Sequence, residues 1–124
     1  MGELSAETLK ARDVKGDIVD GASRDVAFIR KMGFPVFCRF ATPKDIVGRW
    51  VAQGLGAPIA IGGVAVRSGD YVLADQDGVV VLPEPLAAEA IARTEEVSGT
   101  ETAMRQALLS DMDPVEALNR FGKF

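Results

Sequence analysis

The sequence predicts an α/β fold, with a compact β middle flanked by helices and ending in a helical tail. Two patterns carry that reading. Between residues 35 and 82, short apolar runs alternate with Gly and Asp clusters, as in strands joined by tight turns. On either side of this stretch, apolar residues recur at three- and four-residue intervals, the period of a helix packed on one face. Composition sets the scale: 124 residues, 48% apolar and 26% charged, suit a single globular domain with a real core.

The elements follow in order. Leu4 to Arg12 reads as a helix, with Glu3, Ser5 and Glu7 as acidic or capping residues in its first turn. Asp17 to Asp20 reads as a strand, and Gly21-Ala22-Ser23 as a tight connection. Asp25 opens a second helix, Val26, Ile29 and Met32 share its inner face, and Gly33 ends it. Pro35 to Phe40 is the next strand, and Thr42-Pro43-Lys44-Asp45 is a turn. Five short β segments are expected at Gly48–Ala52, Ala57–Ile61, Val64–Val66, Tyr71–Ala74 and Gly78–Leu82. Gly62-Gly63, Ser68-Gly69-Asp70 and Asp75-Gln76-Asp77-Gly78 separate the later ones. The run Val79-Val80-Val81-Leu82 has no polar alternation and predicts burial on both faces. Pro83 begins a helical region. Leu86, Ala90, Ile91 and Val97 form one face, Gly99 is a weak point, and Met104, Ala107 and Leu108 continue it. Pro114 starts a last helix ending near Gly122.

Several function classes drop out. The net charge is −4 and no basic run exists, so nucleic acid is not an expected partner. No apolar run reaches the roughly 20 residues that span a bilayer, so no membrane partner is expected either. The one cysteine, Cys38, has no internal partner; it is read as a core residue, in a reducing setting expected to be the cytoplasm. With no histidine, Ser–His–Asp and Cys–His catalysis are excluded, and any metal must be held by oxygen, which points to a hard ion. No lysine sits in an apolar run that would make it a Schiff-base nucleophile.

The densest chemistry is Asp20-Gly21-Ala22-Ser23-Arg24-Asp25, where a strand end, a small-residue turn and a helix start meet. Arg24 offers a planar fork for a carboxylate, and Asp25 a hard oxygen ligand. Together they suit an organic acid chelated to a metal. The alternative is that Asp25 is an N-cap and Arg24 a surface ion-pair partner. A second element is Gly2-Glu3-Leu4-Ser5, whose amides lie at a helix start and can receive a carboxylate. Asp75, Asp77 and Gly78 read as a hairpin turn, and Arg49 beside Trp50 as an ion pair with stacking.

Glu3, twenty intervening residues and then Arg24-Asp25 form a pattern that resembles the RraA-like / 4-hydroxy-4-methyl-2-oxoglutarate aldolase family. Lys15-Gly16-Asp17-Ile18-Val19-Asp20-Gly21, Gly33-Phe34-Pro35-Val36-Phe37, Thr42-Pro43-Lys44-Asp45 with Gly48-Arg49, Pro58 with Gly62-Gly63-Val64, Gly69-Asp70 and Ala74-Asp75-Gln76-Asp77-Gly78-Val79-Val80 agree with it. The resemblance covers nearly the whole chain and corresponds to the C-terminal part of the family domain. Residues 1–124 are therefore read as a single domain lacking the family's N-terminal portion.

The resemblance implies a swivelling β/β/α fold, assembled as a homotrimer or hexamer. It also implies a divalent-metal-dependent pyruvate aldolase, using Mg²⁺ or Mn²⁺, for 4-hydroxy-4-methyl-2-oxoglutarate and 4-carboxy-4-hydroxy-2-oxoadipate, with oxaloacetate decarboxylase activity. By the same resemblance the partner is a small 2-oxo acid. Asp25 is the direct metal ligand, Arg24 binds the keto-acid oxygen, Glu3 reaches the metal through water, and the amides of Leu4 and Ser5 take the substrate carboxylate. A glutamate from a neighbouring subunit's C-terminal helix completes the site; Glu101 fits best along the chain, with Glu95 and Glu96 as rivals. The family's namesake implies another role, a non-catalytic regulator of ribonuclease E acting by protein–protein contact.

Overall fold

The computed structural model describes residues 1–122, and the chain divides into two compact units, Met1–Leu82 and the segment from Pro83 onward. The α/β expectation holds. The first unit runs α1 (Glu3–Ala11), β1 (Asp17–Ser23), α2 (Val26–Met32), β2 (Val36–Ala41), β3 (Ile59–Ile61), β4 (Val64–Val66), β5 (Tyr71–Ala74) and β6 (Val79–Leu82). Its strands form three two-stranded ribbons. β1 and β2 are parallel, joined through α2, whereas β3–β4 and β5–β6 are antiparallel hairpins. No helix among the described residues is long and apolar enough to cross a membrane.

The α1–β1–α2–β2 portion holds the core. Ala6, Ile29 and Phe34 are buried, and Met1, Leu9, Met32 and Val36 pack around them. The spacing explains this. Ala6 and Leu9 are three apart on α1, and Ile29 and Met32 are three apart on α2, so each helix turns one apolar stripe to the other. Gly33 ends α2 in the left-handed conformation (φ 67°), and Phe34 N–H donates back to Ile29 O, which swings the Phe34 ring under the helix.

β1 is longer than its sequence suggests. Gly21, Ala22 and Ser23 continue the strand and do not form the tight connection expected of them. The register explains the difference: Val19 faces Cys38 and Ala22 faces Phe40, so Asp20 and Gly21 together oppose Arg39 alone. One extra residue is absorbed as a β-bulge, and the small residues after it still pair with β2. The Asp20 carboxylate pairs with Arg39 and also accepts Gly62 N–H (2.9 Å), tying the bulge to the β3–β4 turn.

Other expectations need correction. Gly48–Ala52 forms no strand, because Arg49 N–H and Trp50 N–H both turn back to Ile46 O and Gly48 has φ 71°. The expected Ala57–Ile61 strand begins only at Ile59, after Pro58, which has no N–H for a ladder. Val79 and Val80 are exposed, since β6 pairs only with β5 and the ribbon's outer face lies open. Cys38 is also exposed, on the open face of β2.

The turns follow the glycine chemistry. Gly62 (φ 58°) and Gly63 (φ 84°) join the paired residues Ile61 and Val64, the two positive φ values that a type I′ hairpin requires. Asp75 Oδ1 accepts Asp77 N–H (2.8 Å) and Gly78 N–H (3.3 Å), closing the β5–β6 turn.

In the second unit a short 3₁₀ turn (Glu84–Leu86) leads into α3 (Ala87–Leu109) and α4 (Pro114–Phe121). α3 runs unbroken through Gly99, with the Glu89–Arg93 and Glu101–Arg105 pairs on its surface to either side. Asp113 caps α4 by accepting Val115 N–H (2.9 Å) and Glu116 N–H (3.1 Å), and Pro114 occupies the first helical position. Ala87, Met104 and Ala117 are buried.

Phe34, 4% exposed, is the largest ring in a small core. Phe34→Ala is expected to lower unfolding stability by about 3 kcal/mol, read as an earlier urea midpoint with an unchanged slope.

Candidate functional site

The end of β1, the start of α1 and the start of α2 meet at one corner. Met1 docks there through its backbone: its carbonyl accepts Arg24 N–H (2.8 Å) and Ser23 Oγ–H (3.4 Å), and its amino group donates to Ala22 O (3.1 Å). Ser23, 3% exposed, is the one buried polar residue among those described. Gly2 therefore lies directly against the next pair along. A Cβ on Gly2 would stand 2.8 Å from Arg24 Nε and 3.2 Å from Asp25 Oδ2, so only glycine leaves both side chains where they are.

Asp25 occupies the N-cap position of α2, yet its side chain makes no capping bond there. Its Oδ2 instead accepts Glu3 N–H at 3.1 Å, the first amide of α1. The carboxylate thus caps a helix it does not belong to, where the positive end of the α1 dipole favours it. Its backbone is unusual as well. Asp13, Asp25 and Asp111 are the non-glycine residues with positive φ among those described. Asp13 and Asp111 close Schellman motifs, with Val14 N–H on Leu9 O and Met112 N–H on Ala107 O. No such motif accounts for Asp25 (φ 55°, ψ 33°), which begins a helix. A left-handed aspartate there costs on the order of 1 kcal/mol and aims the carboxylate away from its own helix.

Arg24 stands beside it, with Nε 3.4 Å from Asp25 Oδ2 and one terminal nitrogen paired with Asp45. The side chains of Arg24 and Asp25 are a little over one-third exposed (39% and 36%), so both can meet a solute. The hydrogen bond to Asp45, its charge, and the weaker fields of Asp25 and Glu3 raise the guanidinium pKa further above its ordinary value. Of its five N–H donors, one bonds Asp45, and the others make no hydrogen bond among the described residues. Leu4 N–H and Ser5 N–H, the next amides of α1, have no acceptor among the described residues, as expected in a first helical turn.

The structure therefore brings together Glu3, Leu4, Ser5, Arg24 and Asp25. Glu101 lies on α3 in the second unit, paired with Arg105, and Glu95 and Glu96 lie on the same helix. No three His, Cys, Asp or Glu side chains converge on a possible ion position among the described residues. Arg49 and Trp50 lie in the irregular segment after β2, and Asp75 and Asp77 are occupied by their hairpin. The sequence reading placed Asp45 in a turn but missed its bond to Arg24. The available signal was its place just after Thr42-Pro43, where an Asx turn forms: Asp45 Oδ1 accepts Val47 N–H (2.9 Å) and Oδ2 is left for a cation.

A family model described as RraA-like (Aldolase/RraA) matches residues 1–81, which contain this whole corner. The chain belongs to the RraA-like family. A protein of Hahella chejuensis provisionally named 4-hydroxy-4-methyl-2-oxoglutarate aldolase is 38% identical over 86 residues, covering 69% of this chain and 52% of the relative. An uncharacterized Pseudomonas syringae pv. tomato protein of known structure superposes with a TM-score of 0.88 at 28% identity, covering 94% of this chain and 58% of that one. Streptomyces coelicolor RraAS2, described as an unusual member of the RNase ES inhibitor RraA family, superposes with a TM-score of 0.73 at 31% identity, covering 85% and 54%. The chain spans about half the length of these RraA-like relatives.

Electrostatics at the corner make stability pH-dependent. Val47 N–H first, then Arg24, hold the Asp45 carboxyl below its ordinary value of 3.8; Arg39 and Gly62 do the same for Asp20. Depressed carboxyls contribute stability that is present above the unfolded pKa and lost as pH falls through the lower folded values. Thermal melts are thus expected to show a falling Tm below about pH 4, and Asp45→Asn to make that acid slope shallower.

Proposed function

We propose that this chain carries the active-site corner of a divalent-metal-dependent lyase of 2-oxo acids. It would cleave 4-hydroxy-4-methyl-2-oxoglutarate or 4-carboxy-4-hydroxy-2-oxoadipate to pyruvate and decarboxylate oxaloacetate. The observation that supports this most is the left-handed Asp25, which turns its carboxylate out of its own helix and sets it beside Arg24 at the first amide of α1. Neither strand pairing nor the capping of its own helix requires that geometry.

The donor set suits Mg²⁺ or Mn²⁺. Asp25 Oδ1 accepts no hydrogen bond among the described residues and is a hard oxygen; Glu3 is near enough to act on the Arg24 charge. Mg²⁺ is commonly held by one or two carboxylates with waters completing the shell, so two carboxylates from one chain suffice. Asp25 would hold the ion directly, and Glu3 through water. When bound, such an ion supplies Lewis-acid polarisation of the 2-oxo group.

The chain's own groups do the rest. The free amides of Leu4 and Ser5, at the positive end of α1, receive the substrate C1 carboxylate. Arg24 directs its unused N–H donors at the C2 oxygen, where negative charge develops both in retro-aldol cleavage and in loss of CO₂. One site therefore serves both reactions. In this reading the chain works as a homotrimer or hexamer, with Glu101, or its neighbours Glu95 and Glu96, arriving from an adjacent subunit.

A second reading is a protein-binding regulator of an RNase E-type ribonuclease, favoured by the structural likeness to RraAS2. The two separate cleanly. The lyase reading expects pyruvate release from oxaloacetate or 4-hydroxy-4-methyl-2-oxoglutarate with Mg²⁺, abolished by EDTA. Arg24→Ala and Asp25→Ala should each reduce turnover by about a hundredfold or more. Gly2→Ala keeps every polar group but displaces two of them, and should cost about tenfold. Turnover that survives chelation or Arg24→Ala overturns the lyase reading, and ribonuclease inhibition without turnover supports the regulator.

A further inference from the structure

Arg24 has a second carboxylate that the proposed reaction does not use. Asp45 lies in the turn after β2, 21 residues along the chain, and its two oxygens do different work. Oδ2 pairs with a terminal nitrogen of Arg24; Oδ1 accepts Val47 N–H at 2.9 Å and closes the turn. The turn is itself anchored. Thr42 N–H donates to Ser23 O (2.9 Å), next to Arg24 in β1, and Thr42 Oγ1 accepts Lys44 N–H (3.3 Å). Asp45 is thus a short, backbone-fixed carboxylate at the far end of a long side chain. The Asp25 carboxylate lies 3.4 Å from Nε of the same guanidinium.

A planar guanidinium bonded through one terminal nitrogen cannot rotate about its Nε–Cζ bond without breaking that contact. While it holds, the plane and the directions of the other donors are fixed. We propose that Asp45 is the positioning residue of Arg24, fixing the plane of the guanidinium through the Thr42–Val47 turn. The catalytic consequence rests on the reading of Arg24 as the group that meets the 2-oxo acid; the geometric claim does not.

The test has two arms. In the first, the side-chain ¹⁵N–¹H signals of Arg24 are followed by NMR in the wild-type chain and in Asp45→Asn, with Arg24→Ala used for assignment. The amide introduced by Asp45→Asn keeps an oxygen for Val47 N–H and loses the charge facing Arg24. Rotation about Nε–Cζ is expected to be slow in the wild type and at least about tenfold faster in the variant. Equal rotation in both overturns the proposal, whether or not the chain turns over substrate.

The second arm is a double-mutant cycle on Mg²⁺-dependent oxaloacetate decarboxylation. Asp45→Asn should lower kcat about tenfold with KM within about twofold, and should cost nothing further in an Arg24→Ala background. A loss of the same size in both backgrounds means that Asp45 serves the fold alone, and overturns the proposal. A wild type inert with every metal overturns the lyase reading instead, and the NMR arm still decides the role of Asp45. Matching circular dichroism of the variants guards against simple unfolding.

Discussion

A carboxylate at the start of a helix that is not its own is the contact on which the corner of Gly2, Glu3, Arg24 and Asp25 depends. Asp25 reaches from the β1–α2 junction to the first amide of α1, while Met1 is bonded to Ala22, Ser23 and Arg24 through its own backbone. A charge at a helix N-terminus contributes about 0.3–1 kcal/mol, and up to about 2 where it is partly buried. The left-handed backbone that aims it costs a comparable amount. The contact therefore nets little stability. What it fixes is direction: Oδ2 is committed to α1 and lies 3.4 Å from Arg24 Nε, and Oδ1 accepts no hydrogen bond among the described residues. Stability is supplied elsewhere, by the Ala6, Ile29 and Phe34 core directly beneath.

Much of this was legible in the residue order. Helix ends marked by Gly33 and Pro114, the Gly62-Gly63 hairpin and the Asp75–Gly78 turn all depend on local backbone chemistry, which a few neighbouring residues determine. The convergence of Glu3, Leu4, Ser5, Arg24 and Asp25 could be read only through the family resemblance, because twenty residues of intervening chain say nothing by themselves about which ends meet. The illegible features are the non-local ones. The bulge at Asp20 and Gly21 exists because Arg39 opposes both. Cys38 sits in an apolar run but on the open face of a two-stranded ribbon. The Gly48–Ala52 run has strand-like composition, but its amides close a turn on Ile46 before any partner strand is available.

The pattern of charge around Arg24 also accounts for a choice of residue type. Three carboxylates, from Glu3, Asp25 and Asp45, act on one cation. Lysine would satisfy that charge balance equally well, but as a rotatable point charge on a flexible stem. Only a planar fork can be held at one terminal nitrogen and still offer donors in fixed directions from the others. The same reasoning separates Gly2 from alanine: the corner tolerates the charges at close range because no side chain stands between them.

The bonds that build the corner join residues 21 to 23 positions apart, and the Asp20–Gly62 link joins residues 42 apart. The β3–β4 and β5–β6 ribbons, by contrast, close over two- and four-residue turns. Hairpins of that kind zip in microseconds, whereas contacts that enclose longer loops must wait for chain entropy to be overcome. By sequence separation alone, the corner is expected to close after the two hairpins. A polypeptide caught before that moment would have its ribbons while the Arg24–Asp25 pair still stood apart from α1.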